Sequence, residues 1–295
     1  MDGSMACAPL AAVTGGARGI GAAYVDALLG RGYRVAVLDV SGAVEAAAAR
    51  GSDAVAGFHC DVTDKHSFRS AFDAALAWGG APSFSVFVCN AGILGTLFSD
   101  ADRVVGVNLM GAIHGCEMAI KAATRSLSQP ADPPLSVVIT ASTNGLVPAD
   151  SDLAPVYVAT KFGLVGLVRS LQPLGSRLRV RVNAVAPVTV DTPMVDGLLP
   201  DAAVAFLQRE GRGGVLPPQA CAAALLGVLD DESLCGEVVV VHPDAPGGRG
   251  FATEPLAASA WLGAWRDSGS AEVAAFVDEG LQAAASGVLP AWSGV

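Results

Sequence analysis

The feature that most limits how this chain can fold is a repeating alternation of short apolar runs with longer amphipathic stretches. Strand-like runs fall near 10–14, 33–39, 54–60, 84–89, 135–141, 178–185 and 237–241. Helix-length stretches occupy 19–30, 42–50, 65–78, 101–124, 156–171 and 217–229 between them. Such alternation predicts parallel strand pairing through right-handed crossovers, with helices on both faces of the sheet. The expected class is α/β, a single doubly wound parallel sheet of about seven strands. At 295 residues and 52% hydrophobic content the chain is long enough to bury one large core.

The first crossover carries chemistry. Thr14-Gly15-Gly16-Ala17-Arg18-Gly19-Ile20-Gly21 follows the apolar run Leu10 to Val13 and opens the amphipathic stretch Ile20 to Leu29. Strand, glycine turn, helix is the context in which a glycine pattern becomes a dinucleotide site. Gly15 permits the tight turn, Gly19 lets backbone approach a pyrophosphate, and Gly21 allows close helix–strand packing. Phosphates then rest on the helix N-terminus, beside Arg18 and Ile20. This makes the sheet Rossmann-type. The second run ends in Asp39, 24 positions after Gly15 and followed by Val40. A carboxylate there accepts hydrogen bonds from the ribose hydroxyls and repels a 2′-phosphate, which favours NAD; Arg18 pulls weakly toward NADP.

A second constellation lies at Tyr157 and Lys161, four residues apart in a stretch with helical patterning. One helical turn puts the phenol and the ammonium on one face. A nearby cation is expected to pull a phenol that ordinarily titrates near ~10 toward neutrality, making a proton-transfer catalyst of it.

Taken together these residues resemble the short-chain dehydrogenase/reductase family over about residues 9 to 251. Asp61 and Val62 match its adenine contact, and Asn90-Ala91-Gly92 matches the turn after the fourth strand. Asn108 and Ser142 match the remaining members of a catalytic tetrad with Tyr157 and Lys161. Pro187 through Thr192 matches the segment that grips the nicotinamide, with the Val190 backbone and Thr192 hydroxyl as carboxamide partners. Within the family the likeness is greatest to the NAD-dependent 15-hydroxyprostaglandin dehydrogenase and insect-type alcohol dehydrogenase group. It rests on the short gap from Gly92 to Asn108, on Pro155 through Gly166, and on the run from Leu216 to Val240. Val188 departs from the family's glycine, Ala154 from that group's glutamine, and the Ser142–Tyr157 spacing is about two residues longer than the family norm.

The resemblance implies NAD-dependent interconversion of a secondary alcohol and a ketone. Tyr157 is the implied general base, Lys161 its electrostatic partner and ribose anchor, Ser142 the contact to substrate oxygen, and Asn108 the residue ordering a water. Two alternatives stay open: a catalytically silent NAD(H)-binding sensor or scaffold, and an NADPH-dependent carbonyl or ketoacyl reductase. The family commonly pairs its 101–124 and 156–171 helices across a two-fold axis, so a homodimer or homotetramer is implied.

A net charge of −10 without a basic cluster argues against nucleic acid. No run approaches 18 uninterrupted apolar residues, and Met1 to Pro9 lack signal-peptide regions. With six scattered cysteines (7, 60, 89, 116, 221 and 235), this predicts a cytoplasmic protein with reduced thiols. Cys89, next to Asn90, is a candidate redox-sensitive thiol. The four histidines show no metal-ligand spacing, and no metal is expected. Residues 129–134 read as a surface loop and 191–215 as a segment covering substrate. The catalytic domain is expected to span 1–251, followed over 252–295 by a helical extension packed on the domain or a partner subunit.

Overall fold

The computed structural model describes residues 8–95, 98, 100–126, 134–147, 154–173, 178–194, 215–243 and 251–255. Among the described residues eight strands form one sheet: β1 Leu10–Thr14, β2 Arg34–Asp39, β3 Val55–His59, β4 Val86–Cys89, β5 Leu135–Thr140, β6 Val180–Pro187, β7 Val238–Pro243 and β8 Phe251–Pro255. Their order is β3-β2-β1-β4-β5-β6-β7-β8, with the first seven parallel and β8 antiparallel to β7. The doubly wound sheet is thus the one read from the alternation, with one strand added.

That addition occupies the start of the segment expected to be a helical extension. Thr253 lies opposite Val241 and Glu254 opposite Val240. Its backbone groups pair with those of β7, which would otherwise be the sheet edge. Residues 256–295, most of segment 191–215, nearly all of loop 129–134 and Cys7 lie outside the described residues.

Apolar side chains set the layers. One face of the sheet buries Tyr24 and Leu28 of α1 (Gly19–Gly30), Ala43 and Ala47 of α2 (Ala43–Ala48), and Leu225 of α7 (Pro218–Asp230). The other buries Phe68 of α3 (Lys65–Gly79), Ala119 of α5 (Gly111–Ser126) and Leu164 of α6 (Pro155–Ser170). Phe72 and Phe84 meet edge-on at 5.0 Å beneath α3. Strands β1, β4 and β5 are buried on both faces, which is why their sequences are mostly apolar.

The single helix expected over 101–124 is instead α4 (Ala101–Val105), a π-helical turn (Gly106–Met110) and α5. A π turn inserts one residue and re-aims the side chains within it. Here it carries Asn108. Strand order reverses between β1 and β4, so the carboxyl ends of those strands open the crevice in which such sheets bind ligands.

Candidate active site

The glycine turn is fixed before any ligand arrives. Gly15 has φ +63°, in the left-handed region, and its N–H donates to the Leu38 carbonyl at 2.7 Å. A Cβ on Gly21 would run into the Gly15 carbonyl and reach 2.6 Å from Asn90 Nδ2. Gly19 opens α1, and a Cβ there would meet Thr192 Cγ2 at 3.2 Å. The helix N-terminus, with its unpaired N–H groups, is thereby set between the turn and the loop after β6. A cradle built so closely around backbone fits the diphosphate of a dinucleotide.

The neighbouring side chains hold that cradle. Asp39 accepts the Ala17 N–H at 3.0 Å on Oδ2 and the Ser41 N–H at 3.1 Å on Oδ1. It ties β2 to the turn, and each oxygen retains a second lone pair for a ribose hydroxyl. Asn90 donates through Nδ2 to the Thr14 and Gly15 carbonyls at 3.1 and 3.0 Å. The Thr14 hydroxyl oxygen accepts the N–H groups of Asn90 and Ala91 at 3.0 and 3.1 Å. Arg18 is exposed at the cap of α1, Ile20 is half-buried, and Val40 is exposed beyond Asp39.

Asp61 and Val62 follow β3, two strands away from β1. The Thr63 hydroxyl and N–H bond to Asp61 Oδ1 and hold its carboxyl below the usual range. The Val62 side chain is in the core, which leaves its backbone as the part that can face a ligand.

The proposed catalytic side chains gather beyond the end of β5. Ser142 caps a 3₁₀ turn (Thr143–Gly145), its Oγ accepting the Asn144 N–H at 3.2 Å. Ser142 lies close enough to the half-buried Tyr157 phenol to favour its charged form. Lys161, 4% exposed, donates from Nζ to the Thr140 carbonyl at 2.8 Å and lies 5.4 Å from the Tyr157 ring centroid. Asn108, 1% exposed, accepts the Ile93 N–H at 2.8 Å and donates to the Ile93 carbonyl at 2.9 Å and Thr160 Oγ1 at 3.3 Å. Gly92 sits beside it, since a Cβ there would lie 3.6 Å from Asn108 Oδ1.

The loop after β6 closes the other side. The Thr143 hydroxyl donates to the Pro187 carbonyl at 3.4 Å, and the Val188 N–H joins β7 through Val241 at 3.0 Å. Val190 bridges Leu216, with that ladder's bonds carried by Thr189 and Asp191. The peptide groups of Val190 itself therefore face the opposite edge. Its carbonyl accepts the Thr192 hydroxyl at 3.3 Å.

Ionisation differs from the expectation drawn from Tyr157–Lys161 spacing. Burial raises the phenol above its ordinary value, with Ser142 pulling it partway back. Burial also lowers the Lys161 amine to about 8. Removal from water disfavours both charged forms. Cys89 shifts the same way: its hydrogen bond with Cys116 and its burial push the thiol well above the usual range.

Three hydroxyls escaped sequence reasoning as parts of the site. Thr14 fixes the turn after β4, and Thr160 links Asn108 to the Tyr157 carbonyl, to which it donates at 2.6 Å. Thr140 receives Lys161 on its carbonyl while its hydroxyl donates to Asn90 Oδ1 at 3.0 Å. A family model described as short chain dehydrogenase matches residues 9–203. The chain belongs to the short-chain dehydrogenase family.

Relatives within that family act on different alcohols and ketones. The chain is 36% identical over 198 residues to (+)-borneol dehydrogenase 1 of Salvia officinalis, covering 64% of this chain and 72% of the relative. It is 36% identical over 201 residues to a 3-alpha-(or 20-beta)-hydroxysteroid dehydrogenase of Mycobacterium bovis, covering 63% and 71%. The fold matches a 3-ketoacyl-(acyl-carrier-protein) reductase from Brucella melitensis solved with NADH. That match has a TM-score of 0.71 at 23% identity and covers 82% of this chain and 98% of the reductase. The short-chain dehydrogenase assignment makes this chain an oxidoreductase that uses a nicotinamide cofactor. Among the described residues no helix is long and apolar enough to cross a membrane.

Proposed function

We propose that this short-chain dehydrogenase interconverts a secondary alcohol and a ketone with NAD, using Tyr157 as its general base. The observation that carries the reading is the Ser142–Tyr157–Lys161 group standing at the end of β5, joined through Thr140 and Asn90 to the glycine turn. A bound nicotinamide supplies or accepts the hydride. Tyr157 takes the hydroxyl proton as the C–H bond gives up its electron pair. Ser142 holds the substrate oxygen against the phenol. Lys161 uses one donor on Thr140 and retains others for the ribose of the cofactor. Asn108 keeps one lone pair on Oδ1 for a water on the Lys161 side, its amide being clamped on Ile93 and Thr160.

Asp39 at the ribose position supports NAD over NADP, and Val190 with Thr192 supports carboxamide binding beside Gly19. Pro155 through Gly166 supports the likeness to the 15-hydroxyprostaglandin and insect-type alcohol dehydrogenases. Half-buried Ile113 and Ile120 on α5 and Val165 on α6 support a homo-oligomer through that face, and the free thiols of Cys60, Cys89, Cys116, Cys221 and Cys235 a cytoplasmic setting. The test is NADH absorbance with a panel of steroid, terpenoid, aliphatic, sugar and hydroxy-lipid alcohols, run in parallel with NAD and NADP. Turnover with at least one secondary alcohol and a preference for NAD are expected. Tight NAD binding without turnover on any alcohol or ketone would contradict the enzymatic reading.

A further inference from the structure

Thr140 touches both halves of the site through different atoms. Its carbonyl accepts the Lys161 ammonium at 2.8 Å, and its hydroxyl donates to Asn90 Oδ1 at 3.0 Å. Asn90 in turn donates to the Gly15 carbonyl at 3.0 Å, within the turn that makes the nucleotide cradle. Ile139 and Ala141 belong to the core beneath α5 and α6, whereas Val138 belongs to the core beneath α1. Alternation along β5 therefore turns the Thr140 hydroxyl toward α1, into a layer formed by Val13, Val88 and Val138. A hydroxyl in such a layer costs stability unless it is bonded.

Its second neighbour is Tyr24. This phenol is 0% exposed, sits on α1, and has its oxygen 3.5 Å from Thr140 Oγ1. The single Thr140 proton is engaged by Asn90, so between the two hydroxyls Tyr24 is the donor. Three donors then point one way: Tyr24 to Thr140, Thr140 to Asn90, and Asn90 to the carbonyls of Thr14 and Gly15. Buried chains of this kind fix orientation because each member loses its bond if another turns.

Resting on the dinucleotide reading above, we infer that the Thr140 hydroxyl, oriented by Tyr24, is a positioning group that sets dinucleotide affinity through the Asn90 amide and Gly15. Its carbonyl seats Lys161 independently of the side chain. The hydroxyl therefore acts on cofactor binding more than on the chemical step.

Two substitutions separate hydroxyl from volume. Thr140→Val keeps the shape and leaves Asn90 Oδ1 without its donor; Thr140→Ser keeps the hydroxyl and drops the methyl. NADH fluorescence titration should show Thr140→Val about tenfold weaker and Thr140→Ser within about twofold of wild type. Tyr24→Phe should lose about threefold, and it decides the matter if Thr140→Val does not fold. In Thr140→Val the KM for NAD should rise more than kcat falls. Affinity that follows volume, with Thr140→Ser the weaker binder, overturns the inference, as does wild-type affinity in both Thr140→Val and Tyr24→Phe. A wild-type chain that fails to bind NADH overturns the dinucleotide reading itself, which is a separate result.

Discussion

The proposed nucleotide half and the proposed catalytic half of this site are built on opposite plans. Around the glycine turn, Thr14, Asp39 and Asn90 direct their side chains to backbone N–H and carbonyl groups of the turn and its neighbours. In the proposed complex the diphosphate meets backbone, while Asp39 keeps lone pairs for the ribose. Around Tyr157 the side chains themselves are the tools. The phenol lies beside Ser142, and Lys161 rests on a carbonyl with donors to spare. The first plan gives a rigid shape that ignores substrate identity. The second holds two ionisable groups in a setting that disfavours their charged forms, so their protonation answers to what binds beside them.

Breaking the rigid half should have the largest effect. Gly21→Ala places a methyl against the Gly15 carbonyl and Asn90 Nδ2, with no flexible neighbour to yield. We expect a stability loss of about 1–3 kcal/mol and NADH binding weaker by about a hundredfold or more. A variant that binds NADH like wild type would show that the turn can relax.

The catalytic half predicts a pH signature. The Lys161 amine is depressed to about 8 in the folded chain, against ~10.4 when unfolded. Between those values the unfolded chain binds the extra proton, so stability rises with pH across that window. The advantage of the neutral amine is complete above the unfolded value and is lost as pH falls through about 8. Urea unfolding of wild type and Lys161→Met at pH 7.5 and 9.5 should differ by about 2 kcal/mol more at the higher pH, in favour of wild type. An equal difference at both values would mean that the amine is not desolvated.

Asp39→Ala sharpens the comparison, because Asp39 both supports the turn and is assigned to the ribose. The ratio of NAD to NADP affinities should fall about tenfold, with about 1–2 kcal/mol lost in stability from the unpaired Ala17 and Ser41 N–H groups. An unchanged ratio would reduce Asp39 to its structural part. The smallest effect belongs to Asp64→Ala, which removes the N-cap bond to the His66 N–H. Thermal unfolding should report about 1 kcal/mol, with NADH affinity unmoved.

How much was legible in sequence follows the same division. The apolar strands, Gly15 and Gly21 were readable because backbone geometry and close packing restrict residue type at those points. The supports were not: Thr14, Thr140 and Thr160 are single hydroxyls whose partners lie on other strands and helices. The π turn at Gly106–Met110 was invisible because one turn is too short a stretch for apolar periodicity to reveal a phase shift. β8 was missed since Phe251–Pro255 is short, polar in part and ends in proline. The sign of the Tyr157 shift was misjudged because helical spacing reports that a cation is near, whereas burial and separation decide which influence wins.

The central claim is that the Tyr157 phenol moves the proton while the cradle around Gly15 holds the dinucleotide. The most direct measurement is turnover by Tyr157→Phe on the best alcohol of the panel, with NADH affinity titrated on the same preparation. NADH affinity should stay within about threefold of wild type, with turnover reduced about a hundredfold to ten-thousandfold. Turnover within about threefold of wild type, with the cofactor still bound, would contradict it.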